Sequence, residues 1–112
     1  MTSREERMGK NEALFRTIND KVQVAAERGG ADLSLGERFL CECWVLDCEE
    51  MLMLTEAQYE MVRAHPDRFF VAPGHENAEI EQVVNDEGTF RIVVKFGPAR
   101  EVVIEIAKDE ET

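Results

Sequence analysis

Three cysteines fall within eight positions of FLCECWVLDCEE, residues 39–50, and the chain has no others. An odd number of thiols cannot close into intramolecular disulfides alone, which argues against a disulfide framework. The opening MTSREERMGKNEALF has no apolar run of signal-peptide length, and no segment approaches the roughly 20 apolar residues of a membrane span. No membrane association and a cytoplasmic location are therefore expected, and thiols stay reduced there. Metal binding, redox sensing, catalysis or plain burial remain as roles for the cysteines.

From Arg38 the sequence alternates, with Phe39, Cys41, Cys43 and Val45 on one face and Leu40, Glu42 and Trp44 on the other. Cys41 and Cys43 then present their sulfurs side by side, and a turn through Leu46 to Glu49 brings Cys48 back towards them. Three sulfurs in one hairpin make a partial tetrahedron, which zinc commonly completes with a histidine nitrogen. His75, in APGHEN, is the first candidate: the fixed φ of Pro73 and the permissive Gly74 can aim its ring inward. His65, in AHPDR, is already explained as a polar residue before proline at a helix C-terminus. The expected metal ligands are Cys41, Cys43, Cys48 and His75, with zinc as the ion and an iron–sulfur cluster as a variant. Burial as small inert hydrophobes competes for Cys41 and Cys43. It suits Cys48, between Asp47 and Glu49, less well, and the paired C-x-x-C spacing of the strongest zinc motifs is missing.

A chain of 112 residues supports one domain with a single modest core. Residues 3–28 read as a long helix, opened by the capping-box spacing of Ser3 and Glu6 and ended by Gly29-Gly30. Met8, Phe15 and Val22 lie seven apart, with Leu14, Ile18 and Ala25 filling the same stripe. That stripe can pack on its own domain or serve as the seam of a homodimer. Residues 51–54, MLML, are apolar on both faces, and core burial is the simpler expectation for the methionines. Thr55 and Gln58 form a capping box for a second helix from Glu56 to about His65, with Leu54 and Tyr59 placed as a staple. Pro66 stops it. A short strand, Phe69 to Ala72, leads to a type II turn at Pro73-Gly74. Ile80 to Phe96 reads as a hairpin turning on NDEG, with Phe90, Ile92, Val94 and Phe96 on one face. Residues 98–108 fit both a strand and a helical stripe of Ala99, Val102, Val103 and Ile106.

The predicted fold is α+β: a long N-terminal helix, a small antiparallel sheet with a cysteine-rich metal-binding hairpin, and one short helix packed on it. Residues 1–34 carry the helix and linker, 35–108 the zinc-stapled part that folds as one unit with it, and 109–112 an acidic tail. A net charge of −11 disfavours nucleic acid and suits either a solvated surface or a basic protein partner.

The order of REER, NEALFR, FLCEC with a third cysteine soon after, LT-x-x-x-Y-x-x-VR and RFFVAPGHE resembles a family of small, uncharacterised actinobacterial proteins. The resemblance covers Arg4 to about Lys95 and implies that Cys41, Cys43, Cys48 and His75 belong to one recurrent pattern. This chain departs from that pattern in its bulky Trp44-Val45-Leu46 and in MLML before Thr55, which point to an apolar contact surface near Trp44 and Met51. The function that follows is a zinc-stapled protein-interaction or regulatory module. A thiol sensor with releasable metal is the first alternative, and an enzyme using His75 and Glu76 the second. The zinc-deaminase signature, a phosphate-cradling glycine loop, a G-x-S-x-G elbow and an H-E-x-x-H helix are all absent from the sequence.

Overall fold

The computed structural model describes residues 3–110. Its first helix, α1 (Arg4–Arg28), begins where the Ser3 hydroxyl accepts the Glu6 amide at 3.1 Å, and it closes on Gly29. Met8 and Phe15 are buried as their spacing predicts, and Val22 is half-buried. Leu14 and Ile18 instead lie outward, the former half exposed, and Ala25 is exposed too. The buried side carries Glu12, Arg16 and Asn19. Partners rather than apolarity select that face: Arg16 donates to the carbonyls of Pro66 (2.8 Å) and Val103 (3.1 Å). Asn19 brackets Leu40, accepting from its N–H and donating to its C=O, both at 2.9 Å. Buried polar groups satisfied in this way are tolerated.

Two antiparallel sheets follow, where one was expected. In the first, β1 (Glu37–Leu40) pairs with β2 (Met51–Leu54), Phe39 opposite Leu52. Leu52 and Leu54 face the core, but Met51 and Met53 face outward at 47% and 49% exposure, against the expectation that they are core residues. A two-stranded hairpin covered on one side leaves alternate side chains in solvent. α2 (Glu56–Arg63) has both hydrogen bonds of the Thr55–Gln58 capping box and ends two residues before the expected stop.

The second sheet has the order β3 (Arg68–Val71), β5 (Arg91–Lys95), β4 (Glu81–Asp86). Asn85 and Asp86 continue β4 past a bulge instead of forming the hairpin turn. The chain reverses at Glu87 to Phe90, where Gly88 has φ +88°. β5 is paired on both edges, and both its faces meet protein as well: Ile92 and Val93 are buried together, and so is Lys95. Phe96 does not share the buried face of Phe90 and Ile92, since the strand ends before it and leaves it 43% exposed.

The segment that fitted both periods folds as a helix, α3 (Gly97–Glu110), with Ala99 and Val103 fully buried. It approaches α1 closely at Gly9, where a Cβ would stand 3.0 Å from the Ala99 carbonyl oxygen. Asp109 and Glu110 belong to this helix rather than to an acidic tail, and residues 111–112 lie outside the described part. Phe39, Tyr59, Phe70 and Phe90 make the aromatic centre of a core that also takes in Ala13 of α1 and Val103 of α3.

Candidate metal centre

The strand expected to run to Val45 stops at Leu40, because the backbone then leaves one sheet for the other. Cys41 N–H donates to Glu50 C=O at 2.9 Å and closes the neck of the β1–β2 loop. The next amide, of Glu42, donates to Phe70 C=O of β3, also at 2.9 Å. Cys41 and Cys43 are buried; Cys48 returns on a turn closed by its own N–H to the Val45 carbonyl (3.1 Å) and is half-buried. His75 arrives from the far side. It follows a type II turn in which its N–H donates to Ala72 C=O at 2.9 Å and Gly74 has φ +89°.

The four donor atoms of Cys41, Cys43, Cys48 and His75 all lie within 4.8 Å of one another. His75 Nδ1 is 3.5 Å from Cys41 Sγ and 3.6 Å from Cys48 Sγ. Bonds of about 2.3 Å to sulfur and about 2.05 Å to nitrogen, meeting at the tetrahedral angle, would separate the two donors by about 3.6 Å. Those two separations fit one small tetrahedral ion, the other donors lie within 4.8 Å, and the three sulfurs are free thiols rather than disulfides. This group could bind a metal.

Its surroundings favour one thiolate, at Cys43. Ala72 N–H donates to Cys41 Sγ at 3.2 Å, and hydrogen bonding to the charged form stabilises it. The hydrogen bond from Cys41 pulls the Cys43 thiol down to about 5, against the opposing effect of burial. The same bond, with burial, pushes Cys41 up. Burial also raises Cys48. One thiolate forms readily, and a coordinated cation deprotonates thiols outright.

Glu42, between two of the candidate ligands, is the residue that spacing did not single out. Its carboxylate is fully buried and takes hydrogen bonds from both terminal nitrogens of Arg63, from Asn19 Nδ2 (2.9 Å) and from Phe70 N–H (3.3 Å). Arg63 in turn lies over the rings of Tyr59 and Phe70, at 4.8 and 5.2 Å, and donates to Asp20 at 2.9 Å. Burial opposes the charge on Arg63, but Glu42 wins and holds its pKa above the ordinary value. The anchor fixes the backbone from which Cys41 and Cys43 project. A carboxylate inside the apolar run FLCECWVL was the available signal.

The other readings fare differently. His65 lies outside the four-donor group. Glu76 makes no pair with His75: its oxygens accept from Arg91 and from Gly74 N–H (2.9 Å). Burial would raise the Glu76 carboxyl, but a hydrogen bond from its own backbone amide, with Arg91 and the Gly74 amide, brings it below its usual value. A cleft of about 440 Å³ opens beside the centre, lined by Cys43, Cys48, His75, Glu49 and Glu50 among others. No described helix is long and apolar enough to cross a membrane. No protein-family model, curated protein or solved structure matches this chain, so its chemistry has to be read from these four donors and what surrounds them.

Proposed function

We propose that this is a small cytoplasmic zinc protein whose Cys41, Cys43, Cys48 and His75 form a structural site, and that it acts as a protein-interaction or regulatory module. The clustering of all four donors within 4.8 Å carries the reading. Three thiolates and one imidazole fill a tetrahedral zinc, so no position is left for an activated water, and structure is favoured over catalysis. The centre also spans the β1–β2 loop and the turn after β3, where a cross-link adds most.

Interaction with another protein is supported by the outward Leu35, Met51 and Met53, of which Leu35 is 81% exposed. Such apolar surface beside acidic charge suits a partner that is basic, apolar or both. Leu14 and Ile18, on the outer side of α1, offer a seam for a second copy. The likeness to small actinobacterial proteins belongs to the same reading, because it groups the same four residues.

Protein purified without added metal should carry about one zinc per chain, and cobalt(II) exchanged into it should give the intense visible bands of a tetrahedral thiolate site. Metal-free protein in which residues 41–50 are as well ordered as the β3–β5–β4 sheet would overturn the proposal. A pull-down at low and high salt separates the partner types, since only a charge-driven partner is lost as salt rises.

One observation favours a second reading, a releasable redox site: Cys48 is half-buried and lines the cleft, so a peroxide can reach a ligand sulfur. Two bound thiolates would be oxidised to a disulfide, the peroxide with two protons reduced to two waters, and the ion set free. Zinc release under mild peroxide should then track a change in the helical signal. Release without such a change removes the idea.

A further inference from the structure

One cleft runs against the charge of the whole molecule. In a chain of net charge −11, a hollow of about 340 Å³ is lined by Arg4, Arg7, Lys10 and Asn11 of α1 and, across from them, by Trp44 and Leu46 of the β1–β2 loop. No carboxylate lines it among the described residues. The cleft beside the metal centre has the opposite character, with Glu49, Glu50 and Glu76 on its walls and no lysine or arginine.

Arg4, Arg7 and Lys10 stand three apart, so they share one side of the helix, and like charges at that spacing repel. Arg4 offsets part of that repulsion by pairing through Nε with Glu79 at 3.1 Å, and Arg7 has a contact of its own. The facing wall is apolar and well placed. Trp44 C=O accepts from Asn11 Nδ2 at 2.9 Å, which ties the loop to α1. The half-buried indole packs on the cluster of Met8, Ile80 and Ala99. Leu46 is 58% exposed at the rim, an apolar side chain left for a ligand to cover.

We infer that this cleft binds a small organic anion, a phosphate or carboxylate carried on a flat or apolar body. The cations of α1 take the charged group, while Trp44 and Leu46 receive the body, the division of labour common in small-molecule sites. Residues 44–47 lie between Cys43 and Cys48, so the rigidity of this wall, though not the charge facing it, rests on the metal reading above.

Trp44 is the only tryptophan, so its fluorescence reports on the cleft directly. Protein with its native metal content measured is titrated with phenyl phosphate, benzoate, inorganic phosphate and benzyl alcohol. Phenyl phosphate or benzoate should shift the emission saturably, at least about tenfold more tightly than inorganic phosphate, with benzyl alcohol silent. Which of the two aromatic anions binds better tells phosphate from carboxylate. The Arg7→Gln/Lys10→Glu variant should lose about tenfold or more in affinity at unchanged metal content and circular dichroism. Leu46→Ser should weaken the aromatic anions and leave inorganic phosphate unaffected. No saturable response up to about 10 mM, or binding that survives loss of both cations, overturns the inference. Saturable binding by protein found to hold no metal supports the anion site and tells only against the metal reading.

Discussion

The β1–β2 hairpin and the β3–β5–β4 sheet are both antiparallel, yet they are held by different means. β5 is paired on both edges and buried on both faces, and Phe69, Phe70 and Val93 are wholly inaccessible. Backbone ladders and apolar burial are enough there. The hairpin has four residue pairs, an open face with Met51 and Met53, and a loop of residues 41–50 without helix or strand. Side chains hold that loop: Asn19 on Leu40, Arg63 on Glu42, and the four-donor group. Ordering ten such residues costs on the order of 10 to 20 kcal/mol in backbone entropy. A structural zinc site contributes about 10 to 16 kcal/mol. The magnitudes match, so an ion held by the four-donor group would suffice to order what the ladder leaves loose.

On the proposed zinc site, removing the metal, by chelation or by Cys43→Ser, is therefore the largest perturbation expected. Hydrogen exchange should show the amides of residues 41–50 losing protection while those of β5 keep theirs. Equal loss in both regions would mean one cooperative unit and would break the comparison. Glu42→Ala comes next, at about 3 kcal/mol by urea denaturation, because it leaves the largely buried Arg63 with Asp20 as its one remaining carboxylate partner. It should also weaken zinc binding by about 10- to 100-fold, as loss of a group that orients ligands does. Intact zinc affinity in that variant would show that Glu42 serves folding alone.

Ile92→Val, in the sheet, should cost about 0.5 to 1.5 kcal/mol and leave zinc content untouched. A fall in zinc content would mean that the sheet and the loop are coupled through β3.

The smallest effect concerns charge buried under the sheet. Lys95 lies over the Phe69 ring and bonds both Glu12 and Glu81, all three inaccessible, and Oε2 of Glu12 has no protein partner. Burial pushes the Glu12 carboxyl well above its ordinary value, more than Lys95 lowers it. A raised carboxyl keeps in the native state a proton that the unfolded chain releases. The stability it contributes is complete below the unfolded value of about 4.3 and is lost as pH rises through the folded one. Glu12→Gln should therefore gain on the parent protein between pH 5 and pH 8. A difference that stays flat over that range would show that Lys95 keeps Glu12 ionised.

The features that could be read from the sequence are those set by near neighbours. Ser3 with Glu6, Thr55 with Gln58, and Pro73-Gly74 specify caps and a turn within four residues, and each forms where it is written. The grouping of Cys41, Cys43 and Cys48 follows from the same short-range geometry, while His75 had to be inferred across 27 residues from a turn that could aim it. The misreadings share a cause. Leu14, Ile18, Met51, Met53 and Phe96 are as apolar as any core residue, but burial depends on what lies opposite, and these side chains remain 36–50% exposed. Glu42 and Asn19 went unnoticed as organising residues because each finds its partners on elements at least 21 residues away.

Local chemistry alone thus determined that this chain has a long capped helix, a short capped helix, a β-hairpin and a cluster of soft metal donors, since propensities, caps and turns act over a single turn of backbone. Tertiary structure decided which faces are inside, that residues 97–110 are helical, that the cysteine strand breaks off to bond β3, and that an acidic chain gathers three cations in one hollow. Those outcomes depend on which distant surfaces meet, and burial, hydrogen-bond satisfaction and field strength are properties of the meeting rather than of either segment.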